Sequence, residues 1–207
     1  MCSPNGRYEN DNLYVHHDIM LPSFPLCLEW LDYPVGSTDG NSKGNFVAIG
    51  TFEPHVEIWD LDSIEPLFPE VILGTISNNQ GRIPVGAQVK KGGGPCRISR
   101  RANPERHIDA IMSISWNTLQ RNLIATASAD TTIKLWDIQR PSTAIVQYTH
   151  HTDKVQQVVW NPTNATILMS GGYDKKACVF DSRDPKSVIG RIMLNSQTFS
   201  LSRMWNA

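Results

Sequence analysis

Two stretches of this chain are copies of one another at a single offset. His107–Asp137 (HIDAIMSISWNTLQRNLIATASADTTIKLWD) aligns without a gap on His151–Asp181 (HTDKVQQVVWNPTNATILMSGGYDKKACVFD), 44 residues further on. His107 falls on His151, Asp109 on Asp153, Trp116 on Trp160, Asn117 on Asn161, Asp130 on Asp174 and Trp136 on Phe180. A fixed period of about 40–45 residues with a Trp-Asp ending marks a repeat architecture of propeller blades. Within the repeat, Ile111, Ser113 and Ser115 alternate as a strand does, and residues 123–129 (LIATASA) suit a strand buried on both faces. Asp130-Thr131-Thr132 is a polar turn, and Ile133, Leu135 and Trp136 form the next strand. Strands this short cannot bury their own faces, so each unit needs a neighbour on either side. The fold predicted is all-β: four-stranded blades packed radially.

At these residues the chain resembles the WD-repeat family. The resemblance implies a buried hydrogen-bonded set in each blade, contributed by one His, one Ser or Thr, one Asp and one Trp. By position these are His107, Ser128, Asp130 and Trp136. In that arrangement Asp130 orients the imidazole, the other ring nitrogen meets the Ser128 hydroxyl, and the hydroxyl meets the indole N–H. A His, Asp and Ser together also suggest nucleophilic catalysis. The Trp and the second copy favour a structural set. In that copy Gly172 replaces Ser128 and Phe180 replaces Trp136, which leaves His151 and Asp174 and predicts an incomplete network.

Further blades follow from the same pattern. Residues 24–30 (FPLCLEW) end in Trp like the strands ending at Trp116 and Trp160, residues 46–50 (FVAIG) match LIATA, and residues 56–62 (VEIWDLD) match IKLWDIQ. Blades are therefore expected at about 24–73, 107–148 and 151–194 within a propeller segment 13–207. The echo Trp205-Asn206 suggests the first strand of another blade. Three near-complete blades with partial ones at either side fall short of the roughly four to eight that close a ring. An internal piece of a longer protein, unstable as an isolated monomer, is expected. Residues 1–12 are polar and expected to be disordered.

The formal net charge of −1 hides an asymmetry. Between Gly81 and Arg106 stand seven basic residues and one acid, Glu105. Residues 76–106 read as a basic, Gly-rich insertion. Lys90, Lys91, Arg100 and Arg101 are its candidate contact to RNA or an acidic tail. Gly92-Gly93-Gly94 lacks the Lys-Ser/Thr that a phosphate loop requires. The pairs His16-His17 and His150-His151 invite a metal reading, but alternation along a strand sends His16 and His17 to opposite faces, and the repeat alignment gives His151 to the blade set and puts His150 where small residues are usual. The four cysteines show no CxxC spacing, and reduced thiols are the expected state. No apolar run approaches the length that spans a bilayer as a helix. Neither membrane, cofactor nor small-molecule substrate is predicted.

The N-terminal run NLYVHHDIMLPSFPLCLEW, the VEIWDLD blade and the basic insertion narrow the resemblance to one branch of the family. That branch implies a non-enzymatic scaffold in ribosome biogenesis, concerned with large-subunit maturation and rRNA processing. It implies the nucleus and nucleolus, with partners in pre-ribosomal or chromatin complexes. The alternative is a generic WD-repeat adaptor, chromatin-associated or a substrate receptor of a ubiquitin ligase. The family pattern also implies which top-face positions meet partners. These are Ala110, Met112 and Ala129 in one repeat, and Lys154, Gln156 and Tyr173 in the other. Only the second set combines an aromatic, a cation and an amide, so Lys154, Gln156 and Tyr173 are the candidate partner-binding residues.

Overall fold

The computed structural model describes residues 18–35, 43–64, 66–74 and 105–193. They form twelve strands in three antiparallel sheets of four, each in sequence order. The first sheet holds β1 (Pro25–Leu31), β2 (Phe46–Thr51), β3 (Val56–Asp60) and β4 (Val71–Leu73). The second holds β5 (Ile111–Trp116), β6 (Leu123–Ser128), β7 (Ile133–Asp137) and β8 (Val146–Tyr148). The third holds β9 (Val155–Trp160), β10 (Ile167–Gly172), β11 (Lys176–Asp181) and β12 (Gly190–Met193). No helix occurs among the described residues.

The middle sheet shows why the repeat pattern dictates stacking. Ile124 pairs with Trp136 and Thr126 with Lys134 on one face, while Ala125 pairs with Leu135 and Ala127 with Ile133 on the other. Ile124 and Trp136 join Leu31, Ala48, Val56 and Ile58 of the first sheet in one core. Ala125, Ala127, Ile133 and Leu135 join Val155, Val158, Leu168 and Phe180 of the third sheet in another. Both faces of β6 are thus buried, and burying apolar area is the main stabilising term available to sheets this small.

The first strands of the sheets lie side by side, so the sheets fan out as propeller blades do. Side chains at one repeat position tie the fan together. Glu29 Oε1 accepts the backbone N–H of Trp116 at 3.0 Å, and the Ser115 hydroxyl accepts that of Trp160 at 3.1 Å. Burial raises the Glu29 pKa, and the hydrogen bond from Trp116 works against that rise. The bonds supply partners to N–H groups that no strand of their own sheet can reach. Arg121 adds an ion pair to Asp32 at 2.8 Å and a bond to its carbonyl at 2.7 Å, across the first joint. Asn117 Nδ2 donates to the Ala165 carbonyl at 2.8 Å across the second.

The hairpins between the two middle strands carry local strain. Thr131 has φ 72° and Lys175, its counterpart 44 residues on, φ 60°. A left-handed backbone costs a residue with a Cβ about 1–2 kcal/mol, and a β-branched one is an outlier there. Thr131→Gly is therefore expected to stabilise the protein by about 1 kcal/mol, net of the entropy of glycine in the unfolded chain. Lys175→Gly should gain less. Denaturant midpoints of the two variants check the order; a loss of stability on Thr131→Gly would contradict it.

Candidate functional site

The buried set is built from one hairpin, one strand and the residues that lead into the blade. His107 precedes β5 and is almost fully buried at 1% exposure. Its Nδ1 lies 2.8 Å from Asp130 Oδ2, at the turn between β6 and β7. Its Nε2 lies 2.7 Å from the hydroxyl of Thr126, and the Trp136 indole N–H donates to that same hydroxyl at 2.8 Å. With the imidazole proton on Nδ1, each donor meets an acceptor: indole to hydroxyl, hydroxyl to Nε2, Nδ1–H to carboxylate. Asp130 also accepts the N–H of Ile108 at 3.2 Å, that of Thr132 at 2.9 Å, and the Thr132 hydroxyl at 2.6 Å.

The relay is therefore Thr126 and not Ser128. Ser128 ends β6, donates to the Asp109 carbonyl at 3.0 Å and accepts the N–H of Asp130 at 3.1 Å. It pins the turn instead. Residues two apart on a strand share a face, so spacing alone admits either hydroxyl. Register decides: Thr126 pairs with Lys134, next to Trp136 on the same face, whereas Ser128 pairs with Ile111 at the strand end.

The third blade repeats the set with one change. His151 Nδ1 is 2.9 Å from Asp174 Oδ1 and its Nε2 is 2.8 Å from the Ser170 hydroxyl. Ser170 stands 44 residues after Thr126, so the hydroxyl survives and only the indole donor is lost to Phe180. The expectation that only His151 and Asp174 remain is corrected accordingly. Gly172 gives clearance: a Cβ there would stand 2.9 Å from His151 Nδ1 and 3.1 Å from Asp174 Oδ1. In the first blade Ile49 takes the place of Thr126, and the Trp59 indole donates to Glu57 Oε2 at 3.1 Å instead. His55 Nε2 lies 3.4 Å from the other oxygen of Glu57.

Electrostatics follow from burial and bonding. Burial would raise the Asp130 pKa, but the bond from His107 and the Thr132 donors outweigh it and hold the carboxyl at about 2. Burial lowers the His107 pKa against the pull of Asp130, which keeps the imidazole neutral. Lys134, opposite Thr126, is pushed down to about 8 by burial, with Asp130 opposing. Its ammonium donates to Gln147 Oε1. The Thr126 hydroxyl sits on a residue with no exposed surface, between two partners it already satisfies. The arrangement holds a hairpin rigid and offers no open position for a reacting atom.

The outer ends of these hairpins carry the candidate contact residues. The Tyr173 N–H donates to the Lys154 carbonyl at 2.8 Å, which brings those two residues together at the tip of the third blade. Lys154 is exposed, Tyr173 is 36% exposed and Gln156 half-buried. The same bond joins Ala129 to Ala110 in the second blade, at 2.9 Å. Lys90, Lys91, Arg100 and Arg101 lie outside the described residues, as do residues 1–12 and His16-His17. His150 packs against the rings of Tyr148 and Phe180, at 5.8 and 4.8 Å. Among the described residues no group of three His, Cys, Asp or Glu could hold a metal ion.

Comparison with known proteins agrees with this geometry. The family described as "WD domain, G-beta repeat" matches residues 101–137 and 142–181. The chain is 40% identical over 86% of its length to Periodic tryptophan protein 1 of Saccharomyces cerevisiae, of which it spans 30%. It is 38% identical over 36% of its length to "Ribosome biogenesis protein WDR12 homolog" of Nematostella vectensis, of which it spans 17%. A chain in the crystal structure of a mitotic checkpoint complex superimposes with TM-score 0.50, covering 82% of this chain and 37% of that one at 18% identity. That last likeness is one of fold alone.

Two outcomes test the buried set. Thr126→Val leaves an indole N–H and an imidazole nitrogen without partners, and is expected to destabilise by about 1–3 kcal/mol. Ser128→Ala should cost less, which denaturant midpoints will show; the reverse order would return Ser128 to the relay. Acid should also weaken the fold. Asp130 has its folded pKa below the ordinary 3.8, so its contribution is present above that value and lost as pH falls towards 2. His107, whose folded pKa lies below 6.5, opposes folding once the unfolded imidazole protonates, in the same direction. Melting temperatures of Asp130→Asn should start lower and fall less between pH 4 and 2.

Proposed function

The chain belongs to the WD-repeat family, and we propose that it is a non-enzymatic scaffold of ribosome biogenesis that binds partner proteins on its hairpin tips. The observation that carries the reading is the division of labour within one hairpin. His151, Ser170 and Asp174 spend their polar groups inside the blade, while Lys154 and Tyr173, joined by a backbone bond, face solvent. An exposed tyrosine on a rigid tip is among the side chains enriched at interface hot spots, and Lys154 beside it adds a charge that selects the partner. The pre-ribosomal setting rests on the likeness to Periodic tryptophan protein 1 and to a protein named for ribosome biogenesis. Large-subunit maturation, rRNA processing and a nucleolar location belong to the same proposal. Lys90, Lys91, Arg100 and Arg101 would add a separate, salt-dependent contact to RNA or an acidic tail.

The two contacts are separable by experiment. Tyr173→Ala should reduce recovery of partner proteins from nuclear extract by about tenfold, with little dependence on salt or ribonuclease. Replacing the four basic residues by Gln should instead flatten the salt dependence of association with pre-ribosomes. Recovery unchanged by Tyr173→Ala would remove the hairpin tips as the docking surface. An unchanged salt slope would remove the basic contact.

A further inference from the structure

The blade tips differ in chemistry around the fan, and the difference specifies a partner. Phe52, Ala129 and Tyr173 occupy one repeat position in the three blades, and Leu26, Met112 and Gln156 another. In the first blade these tips are apolar and open: Phe52 is 60% exposed, Leu26 37%, and Phe24 beside them 80%. Pro25 pairs with Thr51, so Phe24 and Phe52 flank one strand end. The neighbouring blade adds half-buried Met112 and Ala129. Cys27 Sγ lies 3.7 Å from the Ile111 carbonyl and the Ser113 hydroxyl 3.4 Å from the Val158 carbonyl. These contacts set β1, β5 and β9 next to one another. A contiguous exposed apolar patch marks an interaction site.

Lysine is confined to one end of the same row. The first two tips carry exposed acids, Glu53 and Asp109. The third keeps an exposed acid, Asp153, where the second has Asp109, but adds two lysines that the other tips lack, Lys154 and Lys175, both exposed and without a carboxylate partner among the described residues. Lys176, by contrast, has Asp174 at 3.8 Å. A strand of nucleic acid laid across the row would set phosphates over Glu53 and Asp109. A peptide whose charge is confined to one end avoids them.

We propose that the hairpin tips take a short peptide segment in which a bulky apolar side chain is followed by acidic residues. The apolar side chain rests on Phe24, Leu26, Phe52 and Met112, and the acidic residues meet Lys154 and Lys175. This rests on the hairpin tips being the docking surface. It commits further to the partner's chemistry.

The probe is a fluorescein-labelled dodecapeptide containing Leu-Phe and then five Glu, titrated with the full chain and followed by anisotropy. Controls replace the Glu residues by Gln or the Leu-Phe pair by Ser, and a dodecamer of uridine serves as the nucleic-acid arm. The acidic peptide should bind at least about tenfold more tightly than the Gln peptide, and the advantage should shrink as salt rises. Lys154→Glu with Lys175→Glu should abolish that advantage. Phe52→Ser should weaken both peptides by about tenfold. All three are exposed side chains, so an unchanged melting transition verifies the fold of each variant. Equal binding of acidic and Gln peptides, tighter binding of the uridine dodecamer, or no peptide binding at all would overturn the proposal. If it falls while partner recovery still depends on Tyr173, only the partner chemistry is wrong. If recovery does not depend on Tyr173 either, the docking surface itself is wrong.

Discussion

A chain of four groups, from the Trp136 indole through Thr126 and His107 to Asp130, fixes the middle blade. Each member is costly to bury alone, and each is satisfied only by the others. The indole belongs to β7, the hydroxyl to β6, the imidazole to the segment before β5 and the carboxylate to the hairpin. One set of bonds thereby locks two strands, the segment that leads into β5 and a turn. The carboxylate does the most, since its two oxygens also collect donors from Ile108 and Thr132. The third blade tolerates loss of the indole because Phe180 keeps the apolar packing, with Tyr148 at 4.8 Å. The first blade has Ile49 where a hydroxyl would be needed, and its Trp59 turns to the buried Glu57.

The same positions explain why the blades must stack. Trp136 contributes its edge to the set and its face to the core shared with the first sheet. Bonds from Glu29 to the Trp116 N–H and from Ser115 to the Trp160 N–H then repeat from joint to joint at one position in the period. A carboxylate and a hydroxyl do the same work there because only an acceptor of the right reach is required. The sequence shows this position as Glu, then Ser, with no common residue to betray it.

That example marks the boundary of what the sequence could reveal. The 44-residue offset is a one-dimensional signal, and it carried the strand order, the turns and the His–Asp pairs. The identity of the relay was two-dimensional. Thr126 and Ser128 are both hydroxyl residues on one face of one strand, and only the pairing of β6 with β7 chooses between them. Gly172 was misleading for a related reason. It looks like a missing hydroxyl, yet the hydroxyl stands two residues earlier at Ser170, and the glycine clears space for His151. The substitution of Ile49 for a hydroxyl and the compensating Glu57 needed the fold itself, because no repeat position predicts a carboxylate there.

The repeat also explains how one scaffold carries different tips. Residues inside the set are constrained by geometry: where the His–Asp pair is present, the relay varies only from Thr126 to Ser170, and where Ile49 removes the hydroxyl the Trp59 indole turns to Glu57. Tip residues meet no such condition. Phe52, Ala129 and Tyr173 are joined to the blade by their backbones or by nothing beyond the strand end, so their side chains are free to differ. Strain at Thr131 and Lys175 sits one turn from those tips, at positions where a side chain is kept despite its backbone cost. In the third blade the side chain kept is an exposed ammonium, next to Asp174 and close to Tyr173. Glycine there would relieve the backbone and delete the charge. Thr131 keeps a side chain at the same cost in the second blade, so the turn itself admits one, and what sets the third tip apart is the charge that Lys175 carries there.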